Sequence, residues 1–102
     1  MAVAFVQEFA IEGDDRSTAN YDAVNERLTH GEGAPAGLIL HTAGFDEEAG
    51  VFRILNVWET RAQGQAYFDQ RVMPAVNEVM GDRQGAPPTR QGFYELHHVA
   101  GP

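Results

Sequence analysis

Histidine is the side chain best matched to proton transfer near neutral pH. One of the four histidines, His41, falls in the middle of an apolar, small-residue run, Leu38-Ile39-Leu40-His41-Thr42-Ala43-Gly44-Phe45. A second run, Val51-Phe52-Arg53-Ile54-Leu55-Asn56-Val57-Trp58-Glu59, carries an asparagine and the single tryptophan. An imidazole placed so could act as a general base, with Asn56 orienting it or polarising a carbonyl and the Trp58 indole walling a pocket for a flat ligand. His41, Asn56 and Trp58 are therefore the catalytic candidates. Each also has a plainer reading: a core or interface histidine held by a hydrogen bond, an asparagine satisfying a bulge or edge, and a core tryptophan.

Other chemistries lack their residues. Cysteine and lysine are absent, which removes thiolate nucleophiles, disulfides, Cys-based metal sites and Schiff bases. The only serine, Ser17, lies in a polar stretch outside any Gly-x-Ser-x-Gly turn. His97 and His98 are adjacent and on a strand would point to opposite faces, which argues against a two-histidine metal site, and His30 at a helix C-terminus is explained by the macrodipole. No glycine loop of the phosphate-binding kind occurs. Neither a metal nor a cofactor is expected.

The elements that position the candidates are two strands joined by an acidic turn. A four-residue loop, Glu47-Glu48-Ala49-Gly50, pairs Asp46 with Val51 and Phe45 with Phe52. It sets His41 across from Asn56 and Ile39 across from Trp58, whereas a slip of one residue would put His41 beside Leu55 on the other face. The second strand is apolar on both parities, with Phe52, Ile54 and Trp58 on one face and Val51, Leu55 and Val57 on the other, so both faces need cover.

Val3 to Ile11 reads as a strand, with Glu8 as an edge feature or a pocket residue. A helix from about Thr18 to His30, stopped by Gly31, buries Tyr21, Val24 and Leu28. Thr60-Arg61-Ala62-Gln63 is a capping box opening a long helix to Met80. The inward stripe of that helix is Phe68, Val72, Met73, Val76, Val79 and Met80, with Ala62 and Ala66 above. Pro74 should kink or restart it near Val72-Met73. Before the kink, Tyr67, Phe68 and Asp69 are candidates to contact a ligand; an ideal wheel sets Asp69 beside the stripe and Tyr67 opposite, and solvated surface is the plainer reading of Tyr67 and Asp69. Gly92 to Val99 is the last strand.

The order β-α-β-β-α-β is the ferredoxin-like split arrangement, an α+β fold with a four-stranded antiparallel sheet and two helices on one face. Residues 1–102 make a single domain. Two helices cover only one face, so the other is expected to meet a second copy of the chain in a homodimer. A hydrophobic fraction of 43% and a net charge of −8 with no basic cluster describe a globular chain that would repel nucleic acid and anionic lipid. No apolar run approaches the roughly 20 residues that span a bilayer. The N-terminus lacks the marks of a signal peptide, so the cytoplasm is the expected location.

With this order, the Val57-Trp58-Glu59-Thr60 strand end and the Arg71-Val72-Met73-Pro74-Ala75 kink, the sequence resembles the dimeric α+β barrel superfamily, and within it the antibiotic-biosynthesis-monooxygenase-like group. The resemblance implies a homodimer whose two sheets form a barrel, with a pocket in each subunit between sheet and helices. It also implies a small hydrophobic or aromatic ligand. In the group's polyketide oxygenases, which use neither metal nor flavin, a strand-two histidine and a strand-closing tryptophan lie in the pocket, at positions matching His41 and Trp58. Their asparagine lies four residues before the tryptophan, where this chain has Ile54; Asn56 lies two before it. In the haem-degrading branch the iron-ligating helix histidine falls at Asn77 here, which speaks against haem. The resemblance thus implies a cofactor-independent monooxygenase in which His41 takes a proton from a phenol or activated C–H. Asn56 would hold the oxyanion, and Trp58, Phe52 and Tyr67 would sandwich the rings. A cyclase or isomerase of the same fold, or a non-catalytic ligand-binding or stress-related module, are the alternatives.

Overall fold

The computed structural model describes residues 1–29, 33–83 and 85–101. His30 and Gly31, read as the end and stop of the first helix, lie outside them. The chain runs β1 (Val3–Ala10), α1 (Ala19–Thr29), β2 (Leu38–Asp46), β3 (Val51–Trp58), α2 (Arg61–Tyr67), a π-helical turn (Phe68–Val72), α3 (Met73–Met80) and β4 (Arg90–Glu95). The strands form one antiparallel sheet in the order β2-β3-β1-β4. This is the ferredoxin-like βαββαβ fold, with the helices over one face of the sheet.

The hairpin turn is fixed by its own chemistry. Asp46 accepts from the Ala49 amide at 3.0 Å through its side chain and from the Gly50 amide at 2.9 Å through its carbonyl, while Gly50 takes a left-handed φ of 71°. The register follows: Asp46 pairs with Val51, Phe45 with Phe52 and His41 with Asn56. The expected pairing of Ile39 with Trp58 does not occur. An irregularity between Leu38 and Leu40 leaves Ile39 out of the ladder and puts Leu38 across from Trp58.

The core lies between sheet and helices, where Val3, Phe5 and Trp58 pack with Leu38, Tyr67, Phe68 and Phe93. Thr60 caps α2, accepting from the Gln63 amide at 3.2 Å, but the Gln63 side chain meets the Thr60 hydroxyl rather than the backbone. Ala62 and Ala66, expected to face inward, are exposed; the buried residue of α2 is Gly64. Pro74 sits at the start of α3, directly after the π turn, because its ring removes one amide donor and crowds the carbonyl four residues back.

Two further expectations are corrected. β4 ends at Glu95, not Val99: among the described residues β1 is its only partner and begins at Val3, so after the Leu96 amide bonds the Ala2 carbonyl at 3.0 Å no ladder remains, and His97 and His98 lie beyond the strand. Glu8 is neither an edge nor a pocket residue. β1 is an inner strand, and Glu8 faces away from the helices, bonded to Arg53 at 2.6 Å, which also bonds Asp46 at 2.8 Å. The face away from the helices is thus charged at one end and apolar at the other, where Ala4, Val6 and Val57 are buried while Leu40 and Tyr94 stay 51% and 45% exposed. Among the described residues, no helix is long and apolar enough to cross a membrane.

Candidate functional site

An open cavity of about 1130 Å³ lies between the sheet and the helices, slightly larger than small-molecule sites usually are. Its floor is the helix-side face of the sheet. Cross-strand pairing sets His41, Asn56 and Phe5 in one row, and Trp58, Phe52 and Gln7 also line the cavity. Its roof comes from Tyr21, Val24 and Leu28 of α1 and from Tyr67, Phe68 and Val76 beyond.

The polar centre of this floor is a chain of three side chains. His41 Nδ1 is hydrogen-bonded to Asn56 Oδ1, a contact that direct cross-strand pairing makes possible. Oδ1 can only accept, so Nδ1 carries the proton and donates. In the neutral ring Nε2 is then the acceptor, and the Tyr21 hydroxyl donates to it at 2.5 Å. The Tyr21 and His41 rings are within 8° of parallel, and Tyr21 also meets Phe52 edge-on at 5.5 Å. Burial, with a smaller contribution from the Asp22 charge, raises the Tyr21 pKa, which holds the proton on its oxygen.

Trp58 is 2% exposed and packs against Tyr67 at 5.4 Å between ring centres. Its Nε1 is buried with no hydrogen-bond partner among the described residues, a state that costs about 1–3 kcal/mol. The indole is held by a close approach of α2. A Cβ on Gly64 would lie 2.9 Å from Trp58 Cδ1 and 2.9 Å from Phe93 Cε1, so only glycine lets the helix sit this low.

His41, Asn56, Trp58, Phe52, Tyr67 and Phe68 all line this one cavity. Asp69 does not: it is exposed and accepts from Gln65 at 3.1 Å. The ideal wheel is reversed here, Tyr67 facing the cavity and Asp69 the solvent. Tyr21 is the polar group the sequence reading missed, having taken it only as part of an apolar stripe. The available signal was that a half-buried tyrosine hydroxyl needs a partner, and the stripe covers the strand face that carries His41. No arginine lines the cavity among the described residues, and none of their histidine or carboxylate groups gathers three together as a metal site.

No family model matches the sequence, and no curated protein matches it. Solved structures do. SnoaB, a cofactor-independent oxygenase from Streptomyces nogalater, aligns at a TM-score of 0.62 and 17% identity over 96% of this chain and 95% of its own. Rv0793 from Mycobacterium tuberculosis aligns at 0.68 and 15% over 99% and 100%. A Nitrosomonas europaea protein provisionally named an antibiotic biosynthesis monooxygenase aligns at 0.64 and 13% over 96% and 100%. The whole chain therefore has the α+β fold of the antibiotic-biosynthesis-monooxygenase-like proteins.

Proposed function

We propose that the chain is a cofactor-independent oxygenase acting on a hydrophobic aromatic or polyketide-type molecule. The observation that carries this reading is the Asn56–His41 pair on the cavity floor. Asn56 fixes the tautomer that leaves Nε2 as a base, in a cavity walled by Phe5, Phe52, Trp58, Tyr67 and Phe68. Removal of a proton from an anthrone-like carbon leaves an electron-rich anion. That anion reacts with molecular oxygen: one oxygen atom becomes the new carbonyl and the other leaves as water. Among the described residues the lining holds no arginine, which favours a substrate that arrives neutral and is ionised in place.

Oxygen uptake with an anthrone or quinol, matched to the carbonyl product by mass spectrometry, tests the reading. His41→Ala should abolish the uptake, and unchanged turnover would remove His41 as the base. Product without oxygen uptake would favour the cyclase or isomerase reading. A non-catalytic binding module has one observation in its favour, that Tyr21 already occupies Nε2; it requires tight binding and no product.

We also infer a homodimer joined through the sheet face away from the helices. Leu40 and Tyr94 are its exposed apolar residues, and a standard interface would bury roughly 800 Å² per subunit. Light scattering that finds only monomer would overturn this.

A further inference from the structure

The hydrogen bond that completes the site also blocks it: the lone pair assigned to substrate deprotonation is already taken by the Tyr21 hydroxyl. We propose that Tyr21 is a catalytic residue that relays the substrate's proton to His41, so that the substrate meets Tyr21 Oη rather than the imidazole. This rests on the reading of His41 as the proton acceptor.

The geometry has what a relay requires. Tyr21 Oη donates its proton to Nε2 and keeps lone pairs to accept another. Tyr21 lines the cavity beside Phe52, where a flat ring would rest. In the step itself the substrate O–H or C–H bond breaks and its proton goes to Tyr21 Oη. The Tyr21 proton moves at the same time to His41 Nε2, and the electron pair stays on the substrate as its anion. Tyrosine ends neutral and His41 becomes an imidazolium whose Nδ1–H remains bonded to Asn56 Oδ1. A relay needs a tyrosine that enters the step protonated, and burial of Tyr21 favours that form. The alternative is a gate, in which Tyr21 swings aside to bare Nε2; its ring would then leave the edge contact with Phe52.

The two differ in the sign of one substitution. Tyr21→Phe keeps the ring and removes the relay atom. Anaerobic stopped-flow absorbance with anthrone, a flat carbon acid that ionises slowly and whose anion absorbs visible light, reads the deprotonation directly. A relay makes ionisation of the bound probe about 10²-fold or more slower in Tyr21→Phe, with probe affinity little changed, and the Tyr21→Phe/His41→Ala pair no worse than His41→Ala. Equal or faster ionisation in Tyr21→Phe would overturn the relay. Unchanged ionisation in His41→Ala would instead bring down the underlying assignment of the base. A measurement on the free protein is independent of the probe: ¹⁵N NMR should find His41 protonated on Nδ1, with the Nε2 resonance moving in Tyr21→Phe as its donor is lost. A proton on Nε2 would refute the relay.

Discussion

Gly64→Ala should destabilise the protein, although alanine is the better helix former. The substitution at this mid-helix site gains about 0.8–1 kcal/mol of helix propensity. Against it stands the added Cβ, which would lie 2.9 Å from Phe93 Cε1, 2.9 Å from Trp58 Cδ1 and 3.0 Å from Trp58 Cγ. Carbon atoms rest about 3.5–4.0 Å apart, so the rings or the helix must retreat by about 0.5–1 Å. The rings have little freedom to do so: Trp58 is 2% exposed, and Phe93 already packs on Phe5 with centroids 4.5 Å apart. Overpacking of this kind costs about 1–3 kcal/mol, leaving a net loss of about 1 kcal/mol. For a domain of this size that lowers Tm by about 4–8 °C. Calorimetry gives Tm, and emission from the single tryptophan should shift with it, since the strain falls on Trp58 itself. Gly64→Val, bulkier still, should lose more. A Gly64→Ala protein that melts higher than the parent would refute the close approach of α2 to Trp58.

Thr60→Ala removes the acceptor of the Gln63 amide at the start of α2, and denaturant titration should show a loss of about 1 kcal/mol. Asp46 is held below its ordinary pKa of 3.8 by the Ala49 amide first and by Arg53 next. A depressed carboxyl stabilises the fold above its unfolded value and loses that contribution as pH falls through its folded value. Acid unfolding below pH 3.8 should therefore be shallower in Asp46→Asn than in the parent. Leu40→Asp, on the exposed apolar patch, should shift the proposed dimer toward monomer in light scattering without lowering the helix signal.

The hairpin was legible in part: a turn of one aspartate that can cap, three residues and a glycine that can take positive φ allowed the pairing of His41 with Asn56 without excluding a slip of one residue. What favoured that register was that it gathers the polar residues on one face, and the structure has it. The bulge at Ile39 left no mark, since Leu38, Ile39 and Leu40 are interchangeable in hydropathy and only the fit around Trp58 separates them. The face opposite the helices was read as uniformly apolar from β3 alone, yet the strand's own Arg53 ties Glu8 and Asp46 into a charged end. Tyr21 was missed for a related reason. A hydrophobic stripe is read from the ring, while the chemistry belongs to the hydroxyl, whose partner lies 20 residues away.

The misreading of Ala62, Ala66, Tyr67 and Asp69 has one cause, and it yields a prediction. Gly64 and Met80 both face the sheet side and line the cavity, 16 residues apart. At 3.6 residues per turn that separation leaves them about 160° out of phase, so no straight α-helix could present both. The π turn at Phe68–Val72 takes up one extra residue. The effective spacing becomes about 15 residues and the mismatch falls to about 60°, which is a single face. Deleting Gln70, an exposed residue of that turn, should therefore produce a continuous α-helix with both halves still facing the sheet. Pro74 would then stand in a helix interior at a cost of about 3 kcal/mol, so the deletion should be tolerated when combined with Pro74→Ala and poorly tolerated alone. Deleting exposed Gln65 in the same Pro74→Ala background should fail: keeping the π turn rotates Gly64 off Trp58, and losing it rotates Phe68 off Phe5. Thermal melts followed by circular dichroism compare the three proteins. If the Gln65 and Gln70 deletions in the Pro74→Ala background melt alike, the π turn is not the device that keeps both stripes over the cavity.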